Sequence, residues 1–493
     1  MSCRTRAASA PSGPNPGRWL IGLLVVALLG PTSGVQGQTL RFDAPEENAE
    51  ASDTETEDAE TDTRPAQGLL DDWRFRLESG LLEFSALTAS DRPQDWTTHG
   101  RSVLRADRAI GTQWEVRLGA RIDAYAQQGG DYPAVSTAEL DYGENFLRYR
   151  AMDWQMTLGT QKLLWGRVDE TPPTDRLSTK DLTRFALDEL ADRRRASPAA
   201  RLEYFQGPWK LDLVGLIGFR AAELPEDDSI WHPVDREAGR LLGLDPEAEL
   251  PDGTPLSTLI QDADFGDAPS GRGGGGLRIS RDGQAVDFAA TLQRVRHSQP
   301  YYRLSAESQA ELGALSPGDP PPPVTFDAEH PMTWVVGGDL GFATGGWTWR
   351  MEAAWLSDVP ITREADFAYD KTEGFDWVIG TEGFPTPRDD LRLTVQLLGE
   401  HLLDAEDALD PDEIYYINGE IEDFFLRNEW RARLRFSAAL NRRDNYLNPE
   451  LAWIAAEPNE LFLGGHWMGG EDDSLGGFYR DRRLLVAGWR GQF

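Results

Sequence analysis

The sequence predicts an all-β fold: an antiparallel transmembrane β-barrel of about 18 strands, with long external loops and short periplasmic turns. Three observations carry it: period-two alternation repeated along the chain, strands long enough to cross a bilayer at a tilt, and connectors that alternate short with long. In 114–125, Trp114, Val116, Leu118, Ala120, Ile122 and Ala124 share one face, while Glu115, Arg117, Gly119, Arg121, Asp123 and Tyr125 share the other. The split recurs from Trp209, from Trp347 and from Trp430, where Ala432, Leu434 and Phe436 oppose Arg431, Arg433 and Arg435. Alternation also describes a soluble sandwich. Length separates the two, since globular strands run about 5–6 residues and these run about 10–14. Tryptophan opens many of the apolar faces, as an interfacial girdle requires, and the opposite faces carry charge, as a wet lumen does.

From the N-terminus, Arg4, Arg6 and Arg18 precede the apolar run Trp19 to Leu29, and Val35-Gln36-Gly37 offers a small-x-small cleavage site. Residues 1–37 therefore read as a secretory signal, the run being too short for a helix that needs roughly 20 apolar residues to span. Cleavage takes three arginines, no acid and the sole cysteine, Cys3, moving the formal charge from −34 to −37. Residues 38–69 form an acidic periplasmic segment with ten acids between 43 and 67 and almost nothing apolar to bury, so it reads as disordered, either a solvated spacer or a tether for a periplasmic partner.

The barrel is expected over 70–493. Its strands pair as 72–84 with 99–110, 113–126 with 136–151, 153–165 with 198–206, 208–221 with 273–281 and 284–296 with 332–344. They continue as 346–357 with 372–384, 389–402 with 413–425, 429–441 with 445–456 and 459–469 with 481–493, the pattern being weakest between 372 and 456, where 16 strands in all is the alternative. Links such as 110–113, 151–153 and 344–346 are short, and 85–98, 166–197, 222–272, 297–331 and 403–412 are long.

The last strand places Leu485, Ala487, Trp489, Gly491 and Phe493 on one face. This resembles the assembly signal of Gram-negative outer-membrane barrels, with Phe493 the matching terminal aromatic, and the resemblance implies insertion by the barrel-assembly machinery. Gly159-Thr160-Gln161-Lys162-Leu163-Leu164-Trp165-Gly166 resembles the Gly-x-Gln-x-x-x-Trp-Gly segment of porin-superfamily barrels, alginate-export-like proteins among them. The following loop is the third external one, where porins fold a segment inward. Its stretch 178–195 has helical spacing, with Ser178 or Thr179 as cap and Leu182, Phe185, Ala186 and Leu190 on one stripe. If it enters the pore, Asp181, Arg184, Asp188, Glu189, Arg193, Arg194 and Arg195 line a constriction; otherwise it lies on the rim.

On the lumen face the sequence places Arg101, Arg105, Arg117, Arg121, Arg148, Arg150, Arg201, Arg350, Arg392, Arg431, Arg433, Arg435 and Arg490, with Glu115, Asp123, Asp212, Glu352 and Glu400 as counter-charges. Such a ladder either guides an anionic solute or saccharide by charge-assisted hydrogen bonds or pairs across strands and braces the wall.

An acidic balance of 83 against 49 basic residues excludes a nucleic-acid partner. The scattered histidines and the absence of a second cysteine argue against metal or haem, and Asp262-x-Asp264-x-x-Asp267 is a weak calcium pattern without the later bidentate acid. No serine–histidine grouping suggests an enzyme, and no cofactor is implied. The expected function is an outer-membrane channel for small polar or anionic solutes or saccharides, in contact with outer-membrane lipid and lipopolysaccharide. The alternative is a structural or export-partner barrel recruiting a periplasmic component.

Overall fold

The computed structural model describes residues 72–168, 171–185, 187–189, 192–247, 255–314, 322–363, 368–385, 391–406 and 408–493; the expected signal 1–37 and the expected acidic segment 38–69 lie outside them. The main sheet joins nineteen hydrogen-bonded segments. Two of these, Val135–Tyr142 and Asn145–Arg150, are halves of one strand interrupted at Gly143 and Glu144, both pairing with the same neighbour. The barrel therefore has 18 strands, not 16.

In chain order they are β1 (Arg74–Leu87), β2 (Trp96–Ile110), β3 (Trp114–Gln128), the interrupted β4 (Val135–Tyr142 and Asn145–Arg150), β5 (Trp154–Gln161) and β6 (Ser197–Gln206). Then come β7 (Trp209–Leu216), β8 (Gly274–Arg281), β9 (Val286–Arg296), β10 (Met332–Thr344), β11 (Trp347–Thr362) and β12 (Tyr369–Gly383). The last six are β13 (Leu391–Leu403), β14 (Glu413–Phe425), β15 (Trp430–Ala439), β16 (Asp444–Ala456), β17 (Asn459–Gly470) and β18 (Leu484–Gln492). Every strand pairs antiparallel with its neighbour, and β18 closes on β1 in a register running from Ser79 opposite Gln492 to Leu87 opposite Leu484. Closure leaves no free edge, which a lipid environment requires because unpaired backbone groups there find no water.

The pleat sends alternate side chains to lipid and lumen. On β3, Trp114, Leu118 and Ile122 are more than two-fifths exposed on the outside, while Arg121 is 5% exposed inside. Aromatic rings cluster at the periplasmic ends, where Tyr149 sits 4.9 Å from Trp114 and 5.3 Å from Trp154. A second set, including stacked Phe84 and Trp96, lies at the external ends. These are the two girdles of a membrane crossing.

Two sequence expectations are corrected here. The predicted strand 208–221 stops at Leu216, because the chain beyond it turns inward to cap the barrel. The stretch 178–195 forms no helix among its described residues: Thr179 and Lys180 pair with Arg195 and Arg194 as a short antiparallel ladder, and Phe185 adopts a φ of 51°. Helical spacing lost because the charged side chains between these ends find buried partners on opposite walls, and a loop that follows those partners gains more than an isolated helical turn would.

Candidate functional site: a charged lumen crossed by a loop

The motif at 159–166 positions the loop. Gly159 has φ of 135°, and a Cβ there would lie 2.1 Å from the Asn145 carbonyl oxygen, so only glycine allows β5 to approach the broken β4. Gln161 donates to the Ala199 carbonyl at 3.0 Å, and the buried Trp165 indole N–H donates to Asp212 at 3.2 Å. Gly166, with φ of 117°, lets the chain pass beside the Glu352 carboxylate, which a Cβ would meet at 2.8 Å. Glu352 then accepts from the backbone N–H of Thr174 (2.8 Å), its hydroxyl (2.7 Å) and the backbone N–H of Arg167 (2.9 Å). A bracing wall acid has become the anchor of the loop root.

From that root the loop crosses the barrel interior. Arg176 pairs with Asp376 on β12, and Arg167 with Asp339 on β10 at 2.5 Å. Asp181 pairs with Arg121 on β3 and with Arg195 of the loop itself at 2.9 Å, while Arg195 reaches Asp141 on β4 at 2.7 Å. Arg194 pairs with Asp175 at 2.7 Å. At the tip, Arg184 bonds Asp188 at 2.8 Å and also Glu83 on β1, Asp188 takes Arg101 on β2, and Glu189 meets Arg433 on β15 at 3.1 Å and Arg435 at 3.8 Å. Burial pushes the Asp188 carboxyl up, but Arg101 and Arg184 more than reverse this and hold it well below the usual carboxylate range. Arg193 is buried and lines the small pocket beside Asp175, Lys180 and Arg194. All seven residues expected in a constriction thus lie inside the lumen, without the helix.

The wall residues are also where the alternation placed them. Arg117 bonds Asp107 (2.9 Å) and Glu144 (2.8 Å), and Glu115 takes Arg150 at 2.8 Å. Asp123 takes Arg101 at 2.9 Å, and Asp212 takes Arg201 at 2.6 Å. Arg350 pairs with Glu382 at 3.0 Å, and Arg392 with Glu420 at 2.6 Å. In the ladder, Arg431 bonds Glu460 (2.7 Å), Arg433 bonds Glu450 (3.0 Å), Arg435 bonds the Asn448 side-chain oxygen (2.7 Å), and Arg490 shares both Glu450 (3.0 Å) and Glu460 (2.7 Å). The sequence reading missed the acids Glu420, Glu450 and Glu460, although each falls on the inward parity of its strand. It also missed Lys162, at one of the variable positions of the motif, whose ammonium has no ion pair among the described residues.

The interior is not uniformly wet. A chamber of about 570 Å³ runs from the periplasmic rim, at Arg76, Glu78, Gln492 and Phe493, up to Arg184, Asp188, Glu189 and Asp192 of the loop. Beyond the loop, a pocket of about 40 Å³ between Arg176, Lys180, Asp376 and Glu400 has room for little more than a water or two. Over the chamber the external mouth is filled by an apolar cluster. Ile230 and Trp231 from the 217–273 loop, Phe478 and Tyr479 from the β17–β18 loop, and Phe185 of the crossing loop pack there against inward Tyr446, Met468 and Leu484. The Tyr479 hydroxyl donates to the Trp231 carbonyl at 3.0 Å, and Arg482 pairs with Asp235 at 2.5 Å. Asp262, Asp264 and Asp267 form no metal-holding group, and no set of three His, Cys, Asp or Glu does so among the described residues.

A closed antiparallel barrel with an apolar outer band, two aromatic girdles and a charged interior is a transmembrane β-barrel. No family model and no curated protein matches the chain. Among solved structures it is similar to OccAB1 of Acinetobacter baumannii (7% identity, TM-score 0.49, covering 88% of this chain and 99% of that one). It is also similar to the outer-membrane channel DcaP of the same organism (10%, TM-score 0.39, 85% and 97%). A third is Wzi of Escherichia coli, described as a carbohydrate-binding barrel involved in group 1 capsule assembly (12%, TM-score 0.40, 85% of each).

Proposed function

We propose that the chain is an outer-membrane channel for small polar or anionic solutes, saccharides among them, held closed by its own loops. The observation that carries this is the chamber under the crossing loop: it opens toward the periplasmic rim, and twelve cations, Lys162 among them, outnumber the eight acids in its lining. Guanidinium groups bind carboxylate, phosphate and sugar hydroxyls through directional hydrogen bonds, and Lys162 is a cation left available by the wall. Passage needs both the crossing loop and the apolar cap to move. No covalent step is part of this reading. The second reading, a structural or export-partner barrel that recruits a periplasmic component through the acidic segment, draws its support from the filled external mouth.

Single-channel recording in planar bilayers separates them. The expected result is rare opening in the wild type and a steady conductance when residues 181–193 are replaced by a Gly/Ser linker and Trp231 by alanine. Adding Arg431→Ser, Arg433→Ser and Arg435→Ser then shifts ion selectivity away from anions, since Glu450 and Glu460 keep their charge without those partners. A correctly folded, heat-modifiable linker variant that never conducts overturns the channel and leaves the structural role.

A further inference from the structure

The outer wall carries a cationic feature that the lumen does not use. Position 294 on β9 faces lipid, in phase with the exposed Leu292, and position 371 on β12 does so in phase with the exposed Phe375. Both lie at the external ends of their strands, so Arg294 and Lys371 sit at the outer-leaflet interface. The Arg294 guanidinium lies over Trp334, its cross-strand partner, with 5.3 Å between its central carbon and the ring centre. Face stacking occupies the plane of the guanidinium and leaves its N–H edge available. Asp358, in the bulge of β11, stands between the two cations at 3.9 Å from Arg294 and 3.5 Å from Lys371. Neither cation donates a side-chain hydrogen bond to an acceptor among the described residues, and their side chains remain about two-fifths exposed. The nearby Glu373 accepts the Trp355 indole N–H at 2.9 Å. Arg296, one pleat above Arg294, adds charge while stacking 5.7 Å from Phe219.

Two cations flanking one acid, all at a girdle, leave a net positive charge and unused N–H donors where water is scarce. Donors in that position favour an anionic headgroup oxygen over continued hydration. We propose that Arg294 and Lys371 bind the phosphate of a phosphorylated glycolipid in the outer leaflet, with Trp334 presenting the guanidinium. On a chain of net charge −34, such a site counters the repulsion between an acidic protein and an anionic leaflet.

Native mass spectrometry of the detergent-purified mature barrel with added bis-phosphorylated lipid A tests this. The wild type is expected to retain the lipid at least tenfold better than Arg294→Gln/Lys371→Gln, and better than it retains dephosphorylated lipid A. Arg281→Gln serves as control, because Arg281 stacks on Trp209 at the periplasmic girdle, and it is expected to bind like the wild type. Heat-modifiability verifies that each variant is folded. Equal retention by the double variant, or of the dephosphorylated lipid, overturns the proposal. So does full displacement by millimolar inorganic phosphate, which would mark a site for a free anion.

Discussion

A single buried carboxyl shows how this barrel treats charge outside the membrane. Asp410, in the external connection between β13 and β14, accepts the backbone N–H of Thr362 at 2.8 Å and the Tyr301 hydroxyl at 3.2 Å. Burial pushes its carboxyl up from the ordinary 3.8 to about 6, and the two hydrogen bonds only partly counter this. Because the folded value lies above the unfolded one, the contribution of Asp410 is fully present below pH 4, is lost as pH rises from about 4 to 6, and stays lost above. Two pH units correspond to at most about 3 kcal/mol. Asp410→Asn keeps an acceptor and removes the charge, so hydrogen-exchange protection of this connection should rise in the variant at pH 7.5 and match the wild type at pH 4. A difference independent of pH would remove the carboxyl from the explanation.

Loops, more than strands, decide what this barrel can do. The crossing loop is pinned to β1, β2, β3, β4, β10, β11, β12 and β15 by buried ion pairs or hydrogen bonds, and losing one member of such a pair costs roughly 3–5 kcal/mol. The apolar cap includes Trp231, 1% exposed, whose truncation to alanine should cost about 3–5 kcal/mol locally. The cap therefore predicts sided access. The chain's one cysteine is Cys3, in the stretch expected to be removed as a secretory signal, so Val103→Cys is expected to place a lone thiol in the chamber wall. A membrane-impermeant thiol reagent added to intact cells should label it poorly, and at least several-fold faster once Trp231→Ala is introduced. Reagent admitted to the periplasm should label both alike. Equal external labelling with and without Trp231 would show that the cap is not the seal.

At the scale of the whole molecule, the barrel exists because its last strand finds its first. β18 pairs with β1 along nine residues, and the Phe493 backbone N–H donates to the Glu78 carbonyl at 3.0 Å, while its ring stays about half exposed at the periplasmic rim. An exposed terminal aromatic adds little to packing, so its expected importance lies in recognition before closure. Deleting Phe493 should lower the amount of heat-modifiable barrel in the outer membrane severalfold while leaving the melting of the barrel that does assemble nearly unchanged. A large drop in that melting temperature with normal assembly would make the residue a structural clamp instead.

Local periodicity was enough to read the architecture, because each lipid-spanning strand must be apolar on one face and can be charged on the other. Arg431, Arg433 and Arg435, like Glu115 and Asp123, were placed on the lumen by parity alone, and the count of 18 strands came from alternation and connector length. The path of residues 178–195 was not legible. Their spacing fits a helix, and only the closed barrel brings Glu83, Arg101, Arg121 and Arg433 near enough to draw the loop across instead. The apolar cap was hidden for the same reason: Trp231 and Tyr479 are 248 residues apart in sequence and meet only when the ring of strands closes. Sequence determines which way each strand residue faces, since that depends on its immediate neighbours and the solvent on each side. Whether the lumen is open, divided or capped depends on contacts between distant segments, and that was decided by the tertiary structure.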